Sequence, residues 1–439
     1  MSAKRVNYRF APLIFFWIGF AFSPYLSVAQ ENNLGLRDLM HRALEKNADI
    51  QVQSGERRIS GLKRWQALSR MFPKADAEVS YMGTSGRNGI PDLVAANGLK
   101  EKIAWLSVQQ TIFDAETLLN LSENQINQEA QKILYIQTKQ NILLRVVETY
   151  FAALKAKGEV DVFKENLDAF KILYGQSQLL YEAGVVPELD VKKTRIEYML
   201  QQNSVAKTQK DYQTALNHIK ELTGLAIEDS LSIQGFPYQT IHLNTLADYL
   251  NTATENRPEL QILQLESRRF RSEKQAAFMQ QFPSANAGIY YGWDTIGPFR
   301  SNNRGWQVFI NLRLPLWDWG RLQLDRRIAS IQYGQNETLR RKMQQQIAQE
   351  VMDAFTECEI QQQRMQVMQE SQVEAAEAVR MARLGYQEGT ITSLDVIDTQ
   401  KLLTETRLQY LQALYDFYSD KARLYRNVGK LEEDFTWLK

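Results

Sequence analysis

Two stretches of the chain are copies of one another. YEAGVVPELDVKKT (181–194) aligns without gaps on YQEGTITSLDVIDT (386–399), with identities at Tyr181/Tyr386, Gly184/Gly389, Leu189/Leu394, Asp190/Asp395, Val191/Val396 and Thr194/Thr399. The match runs on to Gly224 and Gly429, each just past a helical pattern, where a C′ glycine belongs. Upstream, MFPKADAEVSY (71–81) echoes QFPSANAGIYY (281–291), and Ile112-Phe113-Asp114 echoes Leu316-Trp317-Asp318. Three echoes in one order, at a spacing close to the 205 positions that separate Tyr181 from Tyr386, make the chain two copies of one unit.

Each unit reads as helix, β-hairpin, helix. The segments 34–71 and 257–281 are polar-rich helical patterns that run to Pro73 and Pro283. Two alternating segments follow each. In the second unit Ala287, Ile289, Tyr291 and Trp293 share one face of a strand, and Asn286, Gly288, Tyr290, Gly292 and Asp294 the other. Its partner places Trp306, Val308, Ile310, Leu312 and Leu314 on one face and Gln307, Asn311 and Arg313 on the other, with Phe309 the exception. The first unit alternates less cleanly, with Ala75, Ala77, Val79 and Tyr81 against Asp76, Glu78 and Ser80, and then Ile103, Trp105, Leu106, Val108 and Ile112 over 103–113. Period-2 strands with aromatics toward their ends suit a wall between lipid and a wet lumen.

After each hairpin comes a long helical pattern without proline, Asp114 to Ala183 and Asp318 to Glu388, each reaching roughly 105 Å at 1.5 Å per residue. Leu119, Ile126, Ile133, Ile136, Leu143, Val147, Tyr150 and Leu154 occupy heptad a and d positions of the first, interrupted by Ser122, Glu129 and Gln140. Ile347, Val351, Ala354, Cys358, Met365, Met368, Ala375, Val379 and Ala382 do so in the second. Small and polar interruptions predict helices laid side by side in a curved sheet rather than a dimeric zipper. Cys358 falls on this stripe and reads as a buried small apolar group.

Four strands cannot close on themselves, and an open edge in hydrocarbon leaves amides unpaired. Eight strands leave an interior filled with side chains, whereas the strands of three chains suffice for an aqueous pore. The backbone therefore demands an oligomer.

The N-terminal residues predict export. Lys4, Arg5 and Arg9 precede the apolar run 10–22, and Ser27-Val28-Ala29 supplies small residues before a cleavage site, so 1–29 reads as a signal peptide with Gln30 first in the mature chain. The run is shorter than the roughly 20 residues of a membrane helix. No cysteine stands at the cleavage site, which speaks against a lipoprotein, and Cys358 alone cannot form an internal disulfide. Fifty-two basic against 51 acidic residues leave no surplus with which to neutralise a phosphate backbone, so nucleic acid is not an expected partner. His41, His218 and His242 have no ligand or triad spacing, and HExxH, GxSxG and phosphate-binding glycine loops are lacking. We expect no enzyme, cofactor or metal site.

The GxxxxLDV repeat at both helix turns, the FPxA entry into each hairpin and the LPLWDWGR exit (314–321) together resemble the TolC-like outer-membrane efflux proteins, over nearly the whole mature chain. The resemblance implies a mainly α fold with a transmembrane β-part: a homotrimeric twelve-stranded β-barrel, four strands per chain, continued by an α-helical barrel across the periplasm. It implies an outer-membrane location, contact with outer-membrane lipid, and a channel serving efflux or type I secretion with an inner-membrane transporter and a periplasmic adaptor. The expected organisation is a first repeat over 30–224, a connecting equatorial segment over 225–256, a second repeat over 257–429 and a tail over 430–439. Loops 84–101 and 295–304 should face outside the cell. A periplasmic adaptor with one coiled-coil hairpin is the alternative, and it lacks a reason for two duplicated units.

The resemblance puts Gly184 and Gly389 in turns at the closed periplasmic tip and Asp395 and Asp398 around its narrowed entrance. Tyr386 and Asp190 match members of the bond network that holds the entrance shut. Ile391 stands in place of an Arg of that network, Leu189 in place of a hydroxyl residue, and the first unit has Ala115 and Glu116 where the second has Trp319 and Gly320. Asp190 and Asp395 are explained first as helix-capping carboxylates. Asp398 lies a turn further in, where capping does not explain it, and shares a face with Asp395. Lys193 stands where the second repeat has Asp398, and Lys193 or Lys192 is a candidate to replace the missing Arg in tying the tips.

Overall fold

The computed structural model describes residues 32–87, 90–91, 100–237, 243–294 and 303–431. The chain order is β1 (Asn32–Leu34), α1 (Leu36–Lys46), α2 (Ala48–Ser69), β2 (Lys74–Gly83), β3 (Gly86–Arg87), β4 (Ile90–Pro91), β5 (Lys100–Phe113), α3 (Ala115–Glu182) and α4 (Glu188–Thr223). It continues with β6 (Leu231–Ile233), α5 (Leu246–Asn256), α6 (Pro258–Met279), β7 (Ser284–Asp294), β8 (Asn303–Arg313), α7 (Arg321–Gln387) and α8 (Ser393–Asn427). The expected signal peptide lies outside the described residues, as do most of the two outer loops and of the C-terminal tail.

The four β segments form one antiparallel sheet in the order β2-β5-β7-β8, so the two hairpins join through β5 and β7. Their registers align the alternation across the sheet. Ala77, Leu106, Tyr291 and Trp306 form one row, and Ala75, Val108, Ile289 and Val308 the next. This apolar face is bare in the single chain: Val79 is 85% exposed, and Leu106, Val308, Ile310 and Leu312 are exposed too. The opposite face carries Asp76, Ser107, Tyr290 and Gln307 in one row. There Trp105 donates from Nε1 to Glu78 (3.1 Å), and Gln109 donates to the Tyr290 hydroxyl (3.1 Å). Phe309 points to this polar side and stacks on Tyr290 at 5.2 Å, which accounts for its break in the pattern.

Below the sheet the helices lie side by side. Near the strands the order is α2-α3-α6-α7, and beyond the middle it is α4-α3-α8-α7, so the 68-residue α3 and 67-residue α7 each run past two stacked partners. Each long helix is roughly 100 Å long. Asp114 starts α3 by accepting from the Thr117 amide at 2.8 Å. On α3 the stripe is buried at Ile126, Leu143, Val147, Tyr150 and Leu154 but open at Ile136, and on α7 it is buried at Ile347, Val351, Ala354 and Cys358. The interrupting Gln140 is buried because its amide donates to the Gly429 carbonyl (2.9 Å).

The expected helix 34–71 is two helices. Asn47 breaks it: its Oδ1 accepts from the Asp49 amide (2.9 Å), capping α2, while its Nδ2 donates to the Leu222 carbonyl at the end of α4 (3.2 Å). The connecting segment 225–256 has elements of its own. Its β6 pairs in parallel with β1, and α5 starts on a Thr245–Asp248 capping box. The principal core gathers here, where Phe151 stacks on Tyr418 at 5.1 Å and meets Phe236 edge-on at 5.3 Å.

Candidate functional site at the helical tips

Both long helices end in the same turn. In the first, Gly184 sits at φ +69° and donates to the Tyr181 carbonyl, while Val185 donates to Leu180. In the second, Gly389 sits at φ +73° and donates to Tyr386, while Thr390 donates to Gly385. These are Schellman pairs, and a left-handed residue without a Cβ closes each of them.

The next helices start differently. Thr392 and Asp395 form a capping box at α8: the Thr392 amide and hydroxyl donate to Asp395 Oδ2 (3.0 and 2.7 Å), and the Asp395 amide donates back to Thr392 Oγ1 (3.4 Å). Those bonds, the hydroxyl first, hold the Asp395 carboxyl below the usual range. At α4 no such box forms, and the Asp190 amide donates to the Pro187 carbonyl (3.0 Å). Asp398 is exposed on α8, on the same side as Asp395.

Tyr386 is 1% exposed and packs among Phe170, Leu173, Ala382, Val396 and Ile397. Its hydroxyl has no hydrogen-bond partner among the described residues, and burial, then the charge of Asp190, pushes its pKa up to about 12. Ile391, at the position of the missing Arg, folds onto Gly385, where a Cβ would meet its Cδ1 at 2.6 Å. Lys192 pairs with Glu188 on its own helix (3.0 Å), and no ion pair reaches the partly buried Lys193 among the described residues. The hairpins are instead bridged by Lys401 on α8, 2.6 Å from Glu197 on α4, and by Arg407 on α8, 2.6 Å from Glu165 on α3. Sequence reasoning missed both pairs; Glu197 and Lys401 do occupy nearly equivalent places in the two copies.

A buried polar chain lies next to these pairs. Arg383 on α7 donates to Gln400 on α8 (2.8 Å), Gln400 to Asn166 on α3 (2.9 Å), and Asn166 to Gln201 on α4 (2.9 Å). A cleft of about 650 Å³ opens beside it, lined by Asn166, Ala169, Val379, Arg383, Gln400 and Arg407 among others.

With an exposed apolar sheet at one end and paired helical turns at the other, the chain matches the family described as outer membrane efflux protein over residues 39–225 and 249–430. It belongs to that family. The match to an outer-membrane efflux family sets aside the single-hairpin adaptor. Outer membrane protein TolC of Salmonella enteritidis is 22% identical over 431 residues, covering 95% of this chain and 86% of its own. Alkaline protease secretion protein AprF of Pseudomonas aeruginosa is 22% identical over 434 residues, covering 94% and 88%. Among solved structures, the Campylobacter jejuni CmeC outer membrane channel superposes with a TM-score of 0.79 at 15% identity, covering 90% of this chain and 86% of that one. This efflux family member is an outer-membrane channel whose helices form a periplasmic tunnel, as the motifs at 181–194, 314–321 and 386–399 implied.

Proposed function

We propose that three copies of this chain seal one twelve-stranded barrel in outer-membrane lipid and one helical tunnel beneath it, and that a periplasmic adaptor and an inner-membrane transporter deliver substrates to the tunnel for efflux or type I secretion. The observation that carries this reading is the sheet. Among the described residues β2 and β8 are its outer strands, each paired on one side only, and its apolar face is exposed. An 11-residue strand such as β7 or β8 is roughly 36 Å long, and at a tilt near 45° it spans the roughly 25 Å apolar band of an outer-membrane barrel. Pairing β8 of one copy with β2 of the next leaves no edge in hydrocarbon.

In this assembly the units 30–224 and 257–429 are two repeats joined by the equatorial segment 225–256, with 430–439 as a tail. The similar turns at Gly184 and Gly389 support that division. The tips form the entrance. Asp395 and Asp398 from three copies make two rings of carboxylates that attract cations. Tyr386 and Asp190, within electrostatic reach of each other, hold α7 against α4 when the entrance is shut. Lys193, whose ammonium has no carboxylate in its own chain among the described residues, faces a neighbouring copy. The reading includes no catalytic step.

Purified mature protein tests the proposal. It should run as a heat-modifiable trimer on gels and insert discrete conductances into planar bilayers. A water-soluble monomer that forms no pores overturns it.

A further inference from the structure

The chain Arg383–Gln400–Asn166–Gln201 crosses every seam between the four helices near the tips. The helices lie in the order α7-α8-α3-α4, and each bond spans one boundary. A guanidinium only donates, so Gln400 must turn its Oε1 to Arg383 and its Nε2 to Asn166. Asn166 then presents Oδ1 to Gln400 and Nδ2 to Gln201. One charged group thereby fixes three amide orientations, and the field of Arg383 polarises the whole chain. Asn166, Gln400 and Gln201 are 3, 7 and 9% exposed, so a broken link strands an amide that water reaches poorly.

Gln400 follows Asp398 by two residues, about 200° around the helix. It therefore anchors the back of α8, while Asp398 and Asp395 stand exposed on the front. At the tip itself the side-chain hydrogen bonds among the described residues stay within one hairpin, as in the Thr392–Asp395 box and the buried Ser177–Thr194 pair (2.7 Å). Ile391 packs on Gly385, and the Tyr386 and Ser393 hydroxyls are buried without partners among the described residues. The neighbouring pairs Arg407–Glu165 and Lys401–Glu197 each have an exposed member, where ion pairs contribute little.

We propose that Gln400 and Asn166 are positioning residues of the entrance: their bond fixes the rotation of α8 against α3, and so the aim of the Asp395–Asp398 pair. This inference rests on the channel reading above. Its test is single-channel recording of the full-length trimer, with hexaamminecobalt(III) as the blocking cation.

Gln400→Met and Asn166→Leu keep the side-chain volume and remove the bond. Each should raise the closed-state conductance severalfold and the half-blocking concentration about tenfold. Each variant breaks two links and they share the Gln400–Asn166 bond, so the double variant should fall short of the sum of the two singles. Gln400→Glu, which still accepts from Arg383 and from a turned Asn166 amide, should return both readings toward wild type, a rescue that a merely structural role would not give. Wild-type conductance and block in Gln400→Met and Asn166→Leu trimers overturn the proposal. If neither assembles, Gln201→Met at the outermost link should shift both readings in the same direction, and unchanged values overturn it. A wild-type protein that inserts no pores overturns the channel reading itself, a result visible in the wild-type record alone.

Discussion

Gly288 on β7 lies directly behind the ring of Phe309 on β8: a Cβ on the glycine would stand 2.6 Å from the ring and 2.9 Å from the Val108 carbonyl on β5. The one apolar residue that breaks the alternation of β8 is thus accommodated by a residue with no side chain. Gly288→Ala should lower stability by about 1–3 kcal/mol, the cost of overpacking, read as a lower melting temperature in detergent. Phe309→Leu added to it should restore part of the loss; no recovery would show that the Val108 carbonyl sets the limit.

Asp395 and Asp398 should separate in function. Asp395→Ala removes the capping box, so amides 392–396 should exchange hydrogen faster, with the other tip unaffected. Because the folded-state carboxyl is held below its usual range, its contribution is present above the ordinary aspartate pKa and is lost as pH falls through the lower folded value. Asp398→Ala should leave exchange unchanged and weaken cation block in bilayers. Block that persists in Asp398→Ala removes this residue from the entrance.

Neighbouring Asp420 and Lys421 on α8 give the core a pH signature. Burial pushes the Asp420 carboxyl up to about 6 and the Lys421 amine down to about 8. Folding tightens the proton on Asp420, so stability falls as pH rises from about 4 to about 6. It loosens the proton on Lys421, so stability rises again from about 8 to about 10. The melting temperature should be lowest between those limbs. Asp420→Asn should flatten the acid limb, and Lys421→Met the alkaline one while raising the midpoint at neutral pH. Scanning calorimetry across this range decides; an unaltered acid limb in Asp420→Asn would exclude the carboxyl.

Trp319 is the one described residue other than glycine with positive φ, at 56°, and it stands exposed beside Trp317 with ring centroids 5.7 Å apart. A left-handed Trp costs about 1 kcal/mol or more. Trp319→Gly relieves that strain and removes an indole from the rim of the sheet, where aromatic side chains favour a membrane interface. The variant should melt at the same temperature or higher in detergent and lower in phospholipid vesicles. Equal shifts in both media would show that the indole does not meet lipid.

Much of the fold was legible because its signals are local. The period-2 faces of 284–294 and 303–313 reflect one side meant for apolar surroundings and one for water, and the register then brings like faces into rows. Proline-free runs ending at Gly184 and Gly389 announced both the long helices and their left-handed caps. The capping role of Asp395 followed from Thr392 three residues before it, and the structure has that box. Asn47 was not legible as a break, because its second bond goes to Leu222, far along the chain.

By itself, the sequence determined the hairpins, the long helices and the turns, since each depends on side chains a few positions apart. The tertiary structure alone decided which polar residues are buried together. Asn166, Gln201 and Gln400 look like solvated helix surface until α3, α4 and α8 lie side by side, and amides become costly to separate only once neighbouring helices exclude water from them.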